Sequence, residues 1–525
     1  MNLPTRKSNW ALWTLLVALG LMALPAGIAA QTADENAAAS DDFFGEDAVL
    51  VEAPKPASAT KVDPTAAFTQ SAQGIRWGGN VSSGATWNGS WTDWPDTADL
   101  AKNYTESLGY NLSTSLNLDG RPSADFRFHL GLKAGAPFTN DKSVLTGATY
   151  NAAVGPIAAG VTTTSTTLEI PNLKIWEMYT DVTIADTLFL RFGKQSASWG
   201  VAYFYSPGDV ISLTAKDATD PTASREGPVA LNATLPFPNQ KANLAAYVIL
   251  RDEYFLDPTT GKAVTPTLEL PGYALQGDIL VGEAQLSVGG FYQKNNAPKA
   301  VATLNTGLGF LPIPELNKVN LFSEGIALYG ADVLHGTGTK TITIPSVGTK
   351  DIFASIDKYD ATTIYYTGTV GASYSNSDLN FSLRTEYWYN PFGSDEAGYA
   401  QRAFNTFGLG QVSATKTAYI DPVNHADRVY GFGDVANPGI HNLTSLVSLS
   451  KLLGTKVNFS ALVQQNLSDW SGWAKPSFSY SPWDELSLNV GANVVWGDAG
   501  TQFPLQFQGK KLTLNVGVNF GTGKY

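Results

Sequence analysis

From Ile75 to the C-terminus the chain alternates apolar and polar residues every second position, in segments of about ten residues separated by turn residues or long polar stretches. Leu108, Tyr110, Leu112, Thr114, Leu116 and Leu118 line one face of such a segment, opposite Ser107, Gly109, Asn111, Ser113, Ser115 and Asn117. After Asp119-Gly120-Arg121-Pro122 the pattern restarts with Phe126, Phe128, Leu130 and Leu132, and it recurs at Leu486–Trp496 and Leu512–Phe520. Period two predicts strands with one greasy and one wet face.

A soluble sandwich alternates as well, so other features must decide. The segments run to about 9–13 residues, the length a tilted membrane-crossing strand needs, whereas soluble strands cluster near five or six. Their polar faces consist of Asn, Ser, Thr, Gly and scattered charges, which suit water and not a sandwich interior. Aromatic residues gather toward segment ends, as at Trp77, Trp87, Tyr387, Tyr389, Tyr480 and Trp496, where membrane interfaces lie. Short turns near 119–120, 185–186, 236–238, 282, 375–377, 453–454 and 481–483 take turns with long connections at 88–103, 135–172, 198–226, 252–271, 390–440 and 497–510. That asymmetry is typical of transmembrane barrels, with short periplasmic turns and long outer loops. A first count gives seventeen strands; a further strand through Ala302–Phe310, with 312–318 as its periplasmic turn, restores the parity. The expectation is an all-β, antiparallel transmembrane barrel of 18 strands, alternatively 16, closed by pairing a first strand near Ile75 with a last near Phe520. Either count leaves room for a water-filled lumen.

The ends of the chain assign it to a compartment. Arg6 and Lys7 precede an apolar run from Trp10 to Leu24, and Ile28-Ala29-Ala30 supplies a cleavable end, so residues 1–30 read as a secretory signal. Residues 31–74 form an acidic, Ala/Pro-rich tail or linker in which eight carboxylates stand against Lys55 and Lys61. Within it Phe43–Val51 is apolar enough to dock on a periplasmic partner or to fold back as a hatch. That island is similar to the segment by which TonB-dependent transporters meet their energising partner, but the plug such transporters carry has no room here. Residues 75–525 are the barrel.

Composition narrows the chemistry. Only 15% of the 525 residues are charged, well below the roughly 25% of soluble domains, and the formal net charge is −12. An acidic chain of this kind is no nucleic-acid binder. With no cysteine there are no disulfides or thiolate sites. His129, His335, His425 and His441 are the only histidines and none has a second ligand at metal spacing, so neither a metal site nor any other cofactor is expected. No Gly-x-Ser-x-Gly elbow is present, and no enzyme is expected. Asp217 and Asp220, with Glu226 nearby, are a weak calcium candidate set against plain solvation.

Charges on a lipid-facing surface would cost about 2–4 kcal/mol each at mid-membrane, so the charged face must be the wet one. The pore-lining candidates are therefore Arg76, Asp125, Arg127, Lys133, Glu177, Asp181, Arg191, Arg251, Asp278, Glu283, Arg384 and Glu386, with Lys241 and Lys456. Their mixed signs imply weak ion selection. In the segment 188–213, Gly193, Lys194, Gln195, Trp199, Gly200, Asp209, Val210 and Ile211 carry a Gly-basic-Gln, Trp-Gly, Asp-Val-Ile pattern. Here, and at Glu386-Tyr387-Trp388-Tyr389-Asn390, the chain resembles the DUF1302-like and porin-like Gram-negative outer-membrane barrels, which implies an outer-membrane location without implying a substrate. Lys194 stands where an Arg is commoner, and Ser212 where Asn-Pro would follow. Physically, Gly193 and Gly200 allow tight turns and Trp199 and Tyr203 supply packing area, so Gly193, Lys194, Gln195, Trp199, Gly200 and Asp209 are candidates for a loop that narrows the lumen.

The expected function is passive diffusion of small hydrophilic solutes across the cell outer membrane. Expected partners are outer-membrane lipid, the barrel assembly machinery and the solutes themselves. A surface adhesin acting through the 390–440 loop is the first alternative, and a hatch-gated channel for an apolar ligand the second.

Overall fold

The computed structural model describes residues 74–522 except 96–98, 136–139, 151–156, 169–172, 214–215, 224, 251–267, 269, 295, 332, 345–347, 409–415, 422–424 and 431–438. The signal, residues 31–73 with the Phe43–Val51 island, and Arg251 lie outside the described residues.

Eighteen strands form one antiparallel sheet that closes on itself. In chain order they are β1 (Gly74–Trp91), β2 (Tyr104–Ser123), β3 (Phe126–Gly135), β4 (Leu173–Ile184), β5 (Leu188–Lys194), β6 (Val229–Phe237), β7 (Ala242–Leu250), β8 (Gly272–Val281), β9 (Ala284–Tyr292) and β10 (Lys299–Gly307). They continue as β11 (Val319–Tyr329), β12 (Ile364–Asn376), β13 (Phe381–Tyr389), β14 (His441–Leu449), β15 (Val457–Asn466), β16 (Gly472–Trp483), β17 (Leu486–Trp496) and β18 (Leu512–Thr522). Each pairs with its neighbours in sequence, and β1 pairs with β18 from Val81↔Thr522 to Trp91↔Leu512. Closure removes the unpaired edge, whose backbone groups would each cost several kcal/mol in hydrocarbon.

The alternation resolves into an apolar outside and a polar inside. Leu108 and Tyr110 are 77% and 78% exposed, and Phe192, Leu275, Val288, Tyr366, Val490 and Phe520 are likewise open on the outer face. Asp181, Ser287, Thr303, Thr369, Ser373 and Thr444 are buried on the opposite face. A solvent-facing surface of this composition would be unstable in water; against lipid it is the favourable one. The molecule is a membrane-spanning β-barrel.

Three details depart from the sequence reading. Asp119-Gly120-Arg121-Pro122 is not a turn: β2 continues to Ser123 with a bulge after Gly120, and the hairpin turns at Ala124-Asp125. β16 does the same around Pro482, with a bulge between Tyr480 and Trp483 and a turn at Asp484-Glu485. In both cases proline, which has no N–H for the ladder, is accommodated at a bulge beside the periplasmic turn. Second, the 330–363 connection is a long outer loop. It carries two hairpins, Leu334–Thr337 with Ser355–Lys358 and Lys340–Ile344 with Gly348–Ile352, whose alternating residues imitate wall strands. Third, the outer connections 293–298 and 467–471 are short. The strand inferred from 302–310 is present as β10, ending at Gly307 before a 3-10 turn at Pro314–Lys318.

At the outer mouth lie helices α1 (Tyr399–Gly408) and α2 (Gln502–Gln506). Buried Phe353 and Tyr399 pack ring to ring at 4.9 Å, and the Tyr399 hydroxyl accepts the Gly336 N–H at 3.1 Å. Segments Asn140–Tyr150, Ile157–Leu168, Lys416–Asp421 and His425–Tyr430 pair into a four-stranded sheet that shares no strand with the barrel.

Candidate functional site: the inserted loop and the lumen wall

The connection after β5 does not leave the barrel but folds inward. Gly193, at φ +130°, starts the departure: a Cβ there would run into the Met178 carbonyl on β4, and the backbone region itself strains any other residue. The buried Gln195 side chain donates to the Ala230 carbonyl at 2.9 Å and ties the loop's root to β6. Trp199 then packs among Ile249, Ala274, Phe291, Val301 and Ile326 on the inner wall, and meets Tyr247 edge-on at 5.7 Å. The loop tip is Phe204, which is fully buried and lies with Leu462, Trp473 and Val495, the latter on β15–β17, and with Phe503 of α2. The chain returns through Val210 and Ile211, which rejoin the Trp199 cluster. The segment Trp199–Ile211 is thus an out-and-back excursion inside the barrel, touching the wall from β6 to β17.

Two wall carboxylates clamp it. Glu386 of β13, 0% exposed, accepts the backbone N–H groups of Tyr203, Phe204 (2.8 Å) and Tyr205 (3.2 Å). Glu324 of β11 accepts those of Val201 (2.8 Å), Ala202 (3.1 Å) and Gly208 (3.0 Å), and the Ser206 hydroxyl at 3.3 Å. Six amides that a buried loop would otherwise leave without partners are satisfied by two anions. Gly200 is needed here, because a Cβ would collide with Ser206 Oγ and crowd Glu324. The Tyr205 ring stacks on Trp388 at 4.7 Å, its carbonyl accepts the Thr369 hydroxyl at 3.0 Å, and its own hydroxyl accepts that of Thr444 at 2.9 Å. Asp209 closes the base of the excursion: it accepts the Trp199 N–H at 3.3 Å and the Ser198 and Ser212 hydroxyls at 3.1 Å each, and pairs with Arg225. Lys194 pairs with Glu226, so Glu226 is taken up by an ion pair and does not join Asp217 and Asp220, whose carboxylates bind the hydroxyls of Thr219 and Thr222 in their own turns.

The candidate constriction residues Gly193, Lys194, Gln195, Trp199, Gly200 and Asp209 therefore all lie in the root and base of one inserted loop. The pore-lining candidates divide. Arg127, Glu177, Asp181 and Arg191 meet on the inner wall of β3–β5 in a network with Asp119 and His129. Arg127 Nη2 lies 2.5 Å from Asp119, Arg191 Nε lies 2.6 Å from Asp181, and His129 lies 3.0 Å from Asp119 and 3.6 Å from Glu177. Arg191 also covers the Tyr179 ring at 4.1 Å, and Lys133 the Trp176 ring at 4.2 Å. Asp278 faces inward beside Gln276, and Arg384 stacks on Tyr203 of the loop at 4.2 Å. Glu386 faces inward but clamps the loop and lines no water. Arg76 stands at the periplasmic end of β1. Asp125, Glu283, Lys241 and Lys456 are corrections: they occupy or adjoin periplasmic turns and do not line the wall. Turn residues continue the alternation by chance, and hydrophilic turns are where charge is cheapest.

Glu324 was not among the candidates. Its strand carries Phe322, Ile326 and Leu328 on the inner face, Ile326 and Leu328 packing on the loop and Phe322 against Gly371, so alternation there is blurred and the lone carboxylate does not stand out as lumenal. A single charge among apolar inner-face residues was the signal available.

Fold and site together define a membrane-spanning barrel of the channel type, polar within and narrowed by a loop of its own. No family model and no curated protein sequence matches the chain. Among solved structures it is similar to OprD of Pseudomonas aeruginosa, at 9% identity over 87% of this chain and 97% of that one, with a TM-score of 0.40. OccAB1 of Acinetobacter baumannii gives 10% identity over 87% and 99% with a TM-score of 0.41, and Salmonella typhi OmpF in complex with daunomycin 8% over 85% and 97% with 0.37.

Proposed function

We propose that the protein is a porin-like channel of the outer membrane through which small hydrophilic solutes diffuse passively. The observation that carries this reading is the inserted loop. An adhesin or a purely structural barrel has no need to fold a loop through its lumen and hold it with two buried carboxylates, whereas a channel that sieves by size does. Eighteen strands exceed the number that side chains alone can fill. The loop occupies the β6–β17 side, and among the described residues the wall of β18, β1, β2 and β3 is clear of those contacts. A lipid-facing exterior without a free edge suits an outer membrane reached through the secretory route. No covalent chemistry is proposed. The Gly-basic-Gln and Trp-Gly positions that carry the DUF1302-like resemblance are those that root and turn the loop.

Reconstitution of the purified barrel into planar bilayers tests the proposal. Stepwise openings with a linear current–voltage relation are expected in potassium chloride. A folded barrel that stays electrically silent sinks it.

A further inference from the structure

The inner wall left clear by the loop has an unusual makeup. On β1 every second residue from Gly78 to Ser90 faces the lumen, as does every second residue of β2 from Ser107 to Asn117, of β17 from Ser487 to Asn493 and of β18 from Thr513 to Gly521. All of these positions are Asn, Ser, Thr or Gly. No charge stands among them; Arg76 and, next after Asn117 on β2, Asp119 lie below, and Lys511 above. The amides are joined across strands: Asn515 donates to Asn88 at 2.6 Å, Asn493 to Asn515 at 3.5 Å, and the Ser82 and Ser113 hydroxyls meet at 2.6 Å. Gly84 lies between Asn111 and Asn519, whose amide oxygens would both touch a Cβ placed there. Beside this surface, on β2–β5, Asp119, Arg127, Asp181 and Arg191 are paired with one another.

We infer that this wall is a track for neutral polyhydroxylated solutes, such as sugars and polyols, and that the channel favours them over charged solutes of the same size. The inference rests on the channel reading above and adds the solute class. Each Asn side chain offers two donors and an acceptor at one site, and each hydroxyl offers both roles. A polyol shedding water against such a surface exchanges hydrogen bonds nearly one for one. An anion or cation shedding water there meets no opposite charge, and the paired residues of the adjacent wall exert little net field.

The test compares efflux of sorbitol, gluconate and N-methylglucamine from proteoliposomes of the full-length protein at equal ionic strength. These three share a six-carbon polyol chain and differ in charge. Sorbitol is expected to leave several-fold faster than either ion. The doubly substituted Asn88→Asp, Asn111→Asp barrel, with folding checked by heat-modifiable electrophoretic mobility, should pass N-methylglucamine several-fold faster relative to gluconate than the unaltered protein does. If the unaltered barrel conducts potassium chloride yet passes gluconate or N-methylglucamine as fast as sorbitol, the inference is overturned and the channel reading stands. If it passes none of the three and no current, both fall.

Discussion

Glu386 illustrates how much of the site hangs on single side chains. It is an anion with no exposure, held in place by three loop amides and not by a partner cation within ion-pair distance among the described residues. Truncation to alanine would leave those amides without partners, at about 1–3 kcal/mol each if they stay buried, so the loop tip is expected to detach. Glu386→Ala should therefore raise the mean conductance step and its open-state noise, Glu386→Gln should do so less, and Glu324→Gln should act on the Val201–Gly208 portion in the same direction. Single-channel recording checks all three. A second prediction contrasts neighbours on one strand. Leu116→Arg places a charge in lipid and is expected to cost about 2–4 kcal/mol in reversible folding into vesicles, whereas Ser115→Arg, facing water, should cost far less. Equal costs would mean that the faces are assigned the wrong way round.

Elements differ in how plainly they could be read. β2, β17 and β18 alternate cleanly because one face meets lipid and the other open water. β7, β9 and β11 do not, since Ile249, Phe291 and Ile326 turn inward to meet Trp199 and Ile211. Apolar residues on both faces are there the footprint of the inserted loop. The short strands of the 330–363 connection show the converse: alternating pairs outside the wall sheet carry the same period as wall strands. The loop should behave as one element. Replacing residues 199–211 by a short Gly/Ser bridge is expected to leave the barrel folded and to enlarge the conductance step several-fold, as measured in bilayers. Phe503→Ala in α2, which removes one wall of the Phe204 pocket, should loosen only the tip and increase noise without a change in the main step.

At the scale of the molecule, the arrangement is asymmetric around the barrel axis. One arc, β6–β17, is covered by the loop; the other, from the lower part of β17 through β18 and β1 to β2, presents amides and hydroxyls. Both arcs are built from residues that follow the acidic segment. Deleting residues 31–73 while keeping the signal should therefore leave conductance and solute preference unchanged, and a large rise in current would show that the segment acts as a hatch.

The strict two-residue period sufficed to predict a closed transmembrane barrel, because a strand between lipid and water has only one stable pattern of side chains. Parity excluded the first count of seventeen, since both termini of a closed antiparallel barrel must lie on the same side, and closure in three dimensions decided for eighteen over sixteen. What the linear order of residues could not contain was which carboxylates meet water and which meet the chain itself. Glu324 and Glu386 lie more than a hundred residues beyond the loop they clamp, and their role exists only after closure brings β11 and β13 to face Val201–Gly208. The uncharged track has the same origin: its first and last strands are adjacent only because the ends of the sheet meet.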